Sequence, residues 1–240
     1  MTGLQSDERK FLKMDDFASS SAAEKAVLMP VGAVEAHGHH LPVETDNIIA
    51  EALVSELAKR TNLPTLPLLA YGYVKGLRDY DGSVTLGADT FKMVLRDISV
   101  SLSESGFSRL CMVNCHIPNS PLIDEVSLLV KDKIKLLNFS FFGIDHVLKN
   151  ICTSKQWHPG IFHAEEIETS LMLYLRPELV DMDKAEPSYP QKPRNFGLLY
   201  TSWKEFTPEG VIGDPTQATS KKGENIFRYL VDEIVSVLQT

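Results

Sequence analysis

Short apolar runs alternate along the chain with longer amphipathic stretches, the rhythm of strands and helices taking turns around a mainly parallel sheet. Runs bounded by polar or turn residues predict strands over 26–32 (AVLMPVG), 64–70 (PTLPLLA), 108–114 (SRLCMVN) and 137–143 (LNFSFFG). Apolar spacings near 3.6, such as Ile226, Leu230, Ile234 and Leu238, predict helices over 46–60, 89–105, 119–133, 163–175 and 217–238. Gly106 is placed to close the second of these helices. Residues 183–215 are rich in proline and glycine, have no steady period and read as a long ordered excursion. The pattern predicts an α/β fold in a single domain over residues 1–240, with about the first ten residues as a loose end.

Composition narrows the partners. With 240 residues, 43% hydrophobic and 23% charged, the chain can bury one large core. A formal net charge of −8 gives no basic field for nucleic acid or anionic lipid. Small molecules or proteins are the expected partners. The mixed charges of the N-terminus do not read as a secretory signal, and no apolar run approaches the roughly 18 residues that span a bilayer. Cys111, Cys115 and Cys152 form no CxxC pair and no disulfide framework, and a cytoplasmic location is expected.

Three polar clusters interrupt the pattern. The first is Glu35-Ala36-His37-Gly38-His39-His40, with Asp46 at the start of the next helix. In an extended segment residues two apart share a side, so Glu35 and His37 are able to address one point while Asp46 reaches back across the loop. Two carboxylates and an imidazole suit zinc, manganese or iron(II), although loop residues and a helix-capping aspartate give the same pattern. The second cluster, Asn114-Cys115-His116, follows a strand, where ligands of open α/β sheets gather, and brings His116 to the same edge as Glu35 and His37. The third runs from His163 to Ser170. Glu165 and Glu166 read as capping carboxylates on a solvated first turn, whereas Glu168 precedes an apolar stretch and is placed to point inward. A serine or cysteine hydrolase fits poorly, since there is no GxSxG elbow and Cys115 has no third group to orient a base.

Taken in order, PVGAVEAHGHHLP with Asp46, LAYGY at 69–73, NCH at 114–116, HAEEIETSLMLYLRPELV at 163–180 and GVIGDPTQATSKKGE at 210–224 resemble the creatininase (creatinine amidohydrolase) family. The resemblance implies a three-layer α/β/α domain, assembly as a homohexamer, and two divalent metal ions (zinc, manganese or iron(II)). Glu35 and His116 would bind one ion, His37 the other, and Asp46 would bridge them. A hydroxide between two such ions attacks an amide carbonyl. His163 matches the family's active-site histidine, expected to orient substrate or protonate the leaving nitrogen. Glu168 would complete the second ion's shell or act beside it in catalysis.

The chain also departs from the family pattern. Where many members read NGHGGN, it has Asn114-Cys115-His116-Ile117-Pro118-Asn119, which adds bulk and removes one amide donor. Creatininases carry a metal-binding glutamate where Pro118 stands, and the positions that align with their pocket tryptophans hold Ile144 and Pro159, with Trp157 at a different offset. The expected activity is hydrolysis of a small cyclic amide, formamide or peptide-like C–N bond other than creatinine itself. The alternative is a noncatalytic family member serving as a binding or assembly subunit.

Overall fold

The computed structural model describes residues 25–194 and 196–239; the expected loose end lies outside the described residues. Three strands, β1 (Ala26–Val31), β2 (Arg109–Asn114) and β3 (Lys135–Ser140), form a parallel sheet in the order β1-β2-β3, with Ala26 opposite Arg109 and Arg109 opposite Lys135. Side chains alternate across the pleat, and both faces are apolar. Leu28, Cys111, Val113 and Phe139 face one core, shared with the helices α1 (Thr45–Thr61), α4 (Ile144–Asn150), α5 (Glu166–Leu175) and α6 (Ser220–Leu238). Val27, Met29, Val31, Leu110 and Met112 face the other, shared with α2 (Ala88–Glu104) and α3 (Ser120–Val130). The layering is therefore α/β/α, as expected. No helix among the described residues is long and apolar enough to cross a membrane.

Several boundaries move. The predicted strand 64–70 is an extended segment beside β1 that makes only isolated parallel bridges, Leu28 with Thr65 and Val31 with Leu69. Pro64 and Pro67 remove amide donors from the ladder, which breaks a regular strand into bridges. The expected helix 163–175 begins at Glu166, because His163 is held in an antiparallel bridge with Ile212. Likewise 217–238 begins at Ser220, where the Thr219 side chain accepts from the Lys222 amide as an N-cap. The expected helix 119–133 shortens to Ser120–Val130, and α4 occupies residues that the apolar pattern left unassigned. Gly106, at φ 84°, does follow α2 in the left-handed conformation of a helix stop.

Helices α5 and α6 pack tightly because Gly223 lets them approach: a Cβ there would lie 1.8 Å from the Ser170 carbonyl oxygen. A second close approach is at Gly32, just past β1, where a Cβ would lie 2.2 Å from Asn47 Oδ1. That clearance seats the first turn of α1, and hence Asp46, against the loop after β1.

Candidate metal centre

The three clusters converge beyond the carboxyl ends of β1 and β2. Glu35, His37, Asp46, His116, His163 and Glu168 are all buried there. The loop after β1 supplies Glu35 and His37, the first turn of α1 supplies Asp46, the turn after β2 supplies His116, and the entry to α5 supplies His163 and Glu168. The Ala36 amide donates to Ser83 Oγ at 3.0 Å, and Glu35 and Val43 are joined by a 3.0 Å backbone hydrogen bond, so the first loop is held on both sides.

Asp46 is the hub. Its Oδ1 lies 3.2 Å from His37 Nε2 and its Oδ2 lies 3.1 Å from His116 Nδ1. Glu35 Oε1 is 3.1 Å from His116 Nδ1 and 3.8 Å from His163 Nδ1, while Glu168 Oε2 is 3.8 Å from His37 Nε2. Three ligand sets emerge, each with its donor atoms within 4.8 Å of one another: Glu35, Asp46 and His116; His37, Asp46 and Glu168; and Glu35, His37 and His163. Atoms bound to one ion at about 2.0–2.2 Å sit roughly 3 Å apart, the scale of the shorter separations here.

Backbone carbonyls fix the tautomers, because a carbonyl only accepts. His37 Nδ1 donates to the Glu35 carbonyl at 3.1 Å and His116 Nε2 donates to the Tyr73 carbonyl at 3.1 Å. In the neutral tautomer the remaining nitrogens turn lone pairs toward carboxylate oxygens, an arrangement that repels unless a proton or a metal lies between them. Glu35 Oε2 is buried with no hydrogen-bond partner, and His37 Nε2 has the Asp46 carboxylate beside it at 3.2 Å. This donor set, imidazole nitrogens among three carboxylates, fits zinc, manganese or iron(II).

The electrostatics agree. Burial pulls the His37 pKa down, but Asp46, Glu168 and Glu35 more than reverse it, to about 10. His116 is likewise carried well above its ordinary value, as Glu35 and Asp46 outweigh its burial. Burial opposes ionisation of Asp46, yet His37 and His116 hold its pKa well below the carboxylate range. The pocket thus draws positive charge into a buried space. Burial, followed by the neighbouring Asp46 and Glu168, pushes the Cys115 thiol well up, the reverse of what a nucleophilic cysteine requires.

Two expectations for the third cluster are corrected. Glu165 and Glu166 are buried rather than solvated. Glu165 does cap α5, accepting from the Ile167 amide at 2.8 Å, but Glu166 instead anchors the 153–154 turn and Lys222. Of the other histidines in the first cluster, His40 is buried against Thr169 Oγ1 at 2.9 Å, and His39 turns outward to Glu209.

Supporting residues emerge that the sequence reading gave no role. Asn119 Oδ1 accepts from the Tyr73 amide at 2.8 Å, and its Nδ2 donates to the Gly32 carbonyl and to Asn114 Oδ1, both at 3.2 Å. It thereby positions the peptide segment whose carbonyl holds His116. Asn119 and Tyr73 stood inside the blocks NCHIPN and LAYGY, so polar residues beside a ligand were the available signal. Trp203, from the aperiodic excursion, meets the His163 ring edge-on at 5.8 Å, and no sequence pattern marked it.

A family model described as Creatininase, creatinine amidohydrolase, matches residues 10–238. The creatinine amidohydrolase of Pseudomonas putida is 28% identical over 239 residues, covering 92% of each chain. A mycofactocin precursor peptide peptidase of Mycobacterium ulcerans is 30% identical over 222 residues, covering 88% of this chain and 83% of the relative. A solved creatininase variant of Zn-Zn type superposes with a TM-score of 0.84 at 26% identity, covering 94% of this chain and 93% of that one. With the layered fold, the convergent donors and a match along nearly the whole chain in agreement, this protein belongs to the creatininase family.

Proposed function

We propose that this chain hydrolyses a small cyclic amide, a formamide or a peptide-like C–N bond at a centre of two divalent ions, and that creatinine is a poor substrate. The observation that carries the reading is the buried convergence of three carboxylates and three histidines in overlapping donor sets, with Glu35 Oε2 buried there and lacking a partner. In this reading Glu35 and His116 hold one ion, His37 holds the other with Glu168 beside it, and Asp46, common to two of the donor sets, serves both. Two bound ions would supply a hydroxide near neutral pH and polarise the amide carbonyl. The protein's own share is orientation: carbonyl-fixed imidazoles and an amide-held Glu168, whose Oε2 accepts from the Ala164 amide at 2.6 Å, cost no reorganisation during the reaction.

Substrate choice rests on the walls. Ile117 and Pro118 form a short 3-10 turn directly after His116, where the family's glycines would leave backbone open. Relatives named for creatinine and for a precursor peptide show that the fold does not fix the substrate. The proposal extends to a cytoplasmic homohexamer acting on small molecules and not on nucleic acid or membranes. The exposed Leu198, Leu199 and Tyr200 of the 183–215 excursion offer apolar surface for subunit contact.

The test is a panel of cyclic amides, N-formyl compounds and short peptides, each assayed with manganese, zinc and iron(II). Turnover of one class with weak or no creatinine hydrolysis is expected. Efficient creatinine turnover would refute the substrate assignment, and silence across the panel in metal-replete protein would favour a noncatalytic binding or assembly subunit.

A further inference from the structure

We infer that the substrate carries an aromatic or branched apolar group beside its scissile C–N bond, seated on a line of rings that runs from Trp203 through Phe206 to Trp157. Such a substrate is an extended, peptide-like amide rather than a compact cyclic one. The inference rests on the metal-centre reading and narrows its substrate class. The line starts at the centre, where the Trp203 ring meets the His163 ring edge-on at 5.8 Å. Phe206 follows at 6.1 Å from Trp203, and Trp157 stacks on Phe206 at 6.1 Å with 12° between the planes. Phe196 closes the outer end, 5.5 Å from Trp157 and 5.9 Å from Phe206. Successive rings at that spacing outrun a single five-membered ring held at the centre, whereas an extended side chain spans them.

These rings are held as a wall and not buried as a core. Trp157, Phe196, Trp203 and Phe206 are all half-buried, and none joins the two sets of buried side chains that pack against the sheet. Hydrogen bonds to the main chain fix the line in place. The Trp203 amide donates to the Gly76 carbonyl at 3.0 Å, and the Trp203 carbonyl accepts from the Phe206 and Thr207 amides at 3.0 and 2.8 Å. A Cβ on Gly76 would lie 2.6 Å from Trp203 Nε1, so the indole rests directly on that backbone. Trp157 donates its indole N–H to the Pro190 carbonyl at 2.6 Å. Fixed aromatic surface that is partly open to solvent and continuous with a polar centre is the make-up of a small-molecule site, in which apolar walls bind and a few polar groups orient and react.

Hydroxamates test this, because they chelate metal ions through one common group and differ only in what is attached to it. Metal-replete protein should bind 3-phenylpropionohydroxamate at least about 10-fold more tightly than acetohydroxamate in calorimetry, the scale of one or two added aromatic contacts. Trp203→Ala should cut that ratio to about threefold or less, and Phe206→Ala, one ring further from the ions, should also lower it, each read on protein whose metal content is measured. Trp203→Phe, which keeps a ring at the position, should preserve most of the preference. Equal affinities in intact protein that holds its ions, or a preference that survives both alanine variants, would overturn the inference and leave the metal-centre reading standing. Intact protein that binds no ion would fail the metal-centre reading and the inference with it.

Discussion

Glu166 and Glu168 lie two residues apart on one helix, and both are buried, yet their surroundings are opposite. The Glu166 carboxylate accepts from the Thr153 and Ser154 amides, the Thr153 hydroxyl and Lys222 Nζ. Burial would raise its pKa, but Lys222 and Ser154 hold it below the ordinary value. Glu168 accepts from the Ala164 amide and otherwise faces the cluster; burial, then Asp46 and Glu35, push it up to about 7 against the pull of His37. A carboxylate whose oxygens are filled by protein donors is a structural rivet, and one left facing other carboxylates and imidazoles marks a place that favours a cation. Burial alone does not separate the two.

The comparison breaks first at Asp46. Asp46→Ala removes the carboxylate shared by two donor sets; metal content should fall further than in any other single-ligand variant, and activity should drop by at least about 10³-fold, the upper range for losing one preorganised stabilising group. Retention of two ions, measured by elemental analysis, would contradict the shared role. On the saturated side, Glu166→Ala should cost about 3 kcal/mol of unfolding free energy, because a buried partner of Lys222 and two amides is lost. Metal stoichiometry should not move. Since pairing depresses the Glu166 pKa below 4.5, that contribution is present above this value and disappears as pH falls through the depressed one. Denaturation curves of both proteins should therefore converge in acid.

A smaller effect is expected one layer out. Asn119→Ala should weaken metal binding by about 10–100-fold, the usual range for groups that orient a ligand, through the slackened Tyr73 segment behind His116. Titration with a competing chelator would measure it, and unchanged affinity would confine Asn119 to a packing role. The smallest change should follow Cys115→Ser. A buried thiol with a raised pKa is no nucleophile, so activity should stay within about threefold, under 1 kcal/mol of barrier. Loss on the scale of Asp46→Ala would restore the cysteine to the chemistry.

Much of this was legible in the sequence because parallel strands buried on both faces must be apolar, so β1 and β2 announce themselves and the polar residues that follow them fall on one edge, whereas β3, an edge strand with only Phe139 buried, lies at Lys135–Ser140 and not at the expected 137–143. Glu35, His37, Asp46 and His116 were found that way. The 64–70 segment misled because its apolar run satisfies the pattern while its prolines forbid a continuous ladder. Glu165 and Glu166 misled because an acidic first turn looks the same whether water or a distant lysine satisfies it. Trp203 was invisible, since its place against His163 comes from a long-range return of the chain, with the Trp203 amide bonded to the Gly76 carbonyl.

The carbonyls that tether His37 and His163 belong to consecutive residues, Glu35 and Ala36. Two imidazoles from separate parts of the chain therefore take their aim from neighbouring peptide groups, and a rotation of the main chain between them would swing both at once. A shift of this one stretch of main chain is therefore felt at both rings, although 127 positions separate Ala36 from His163.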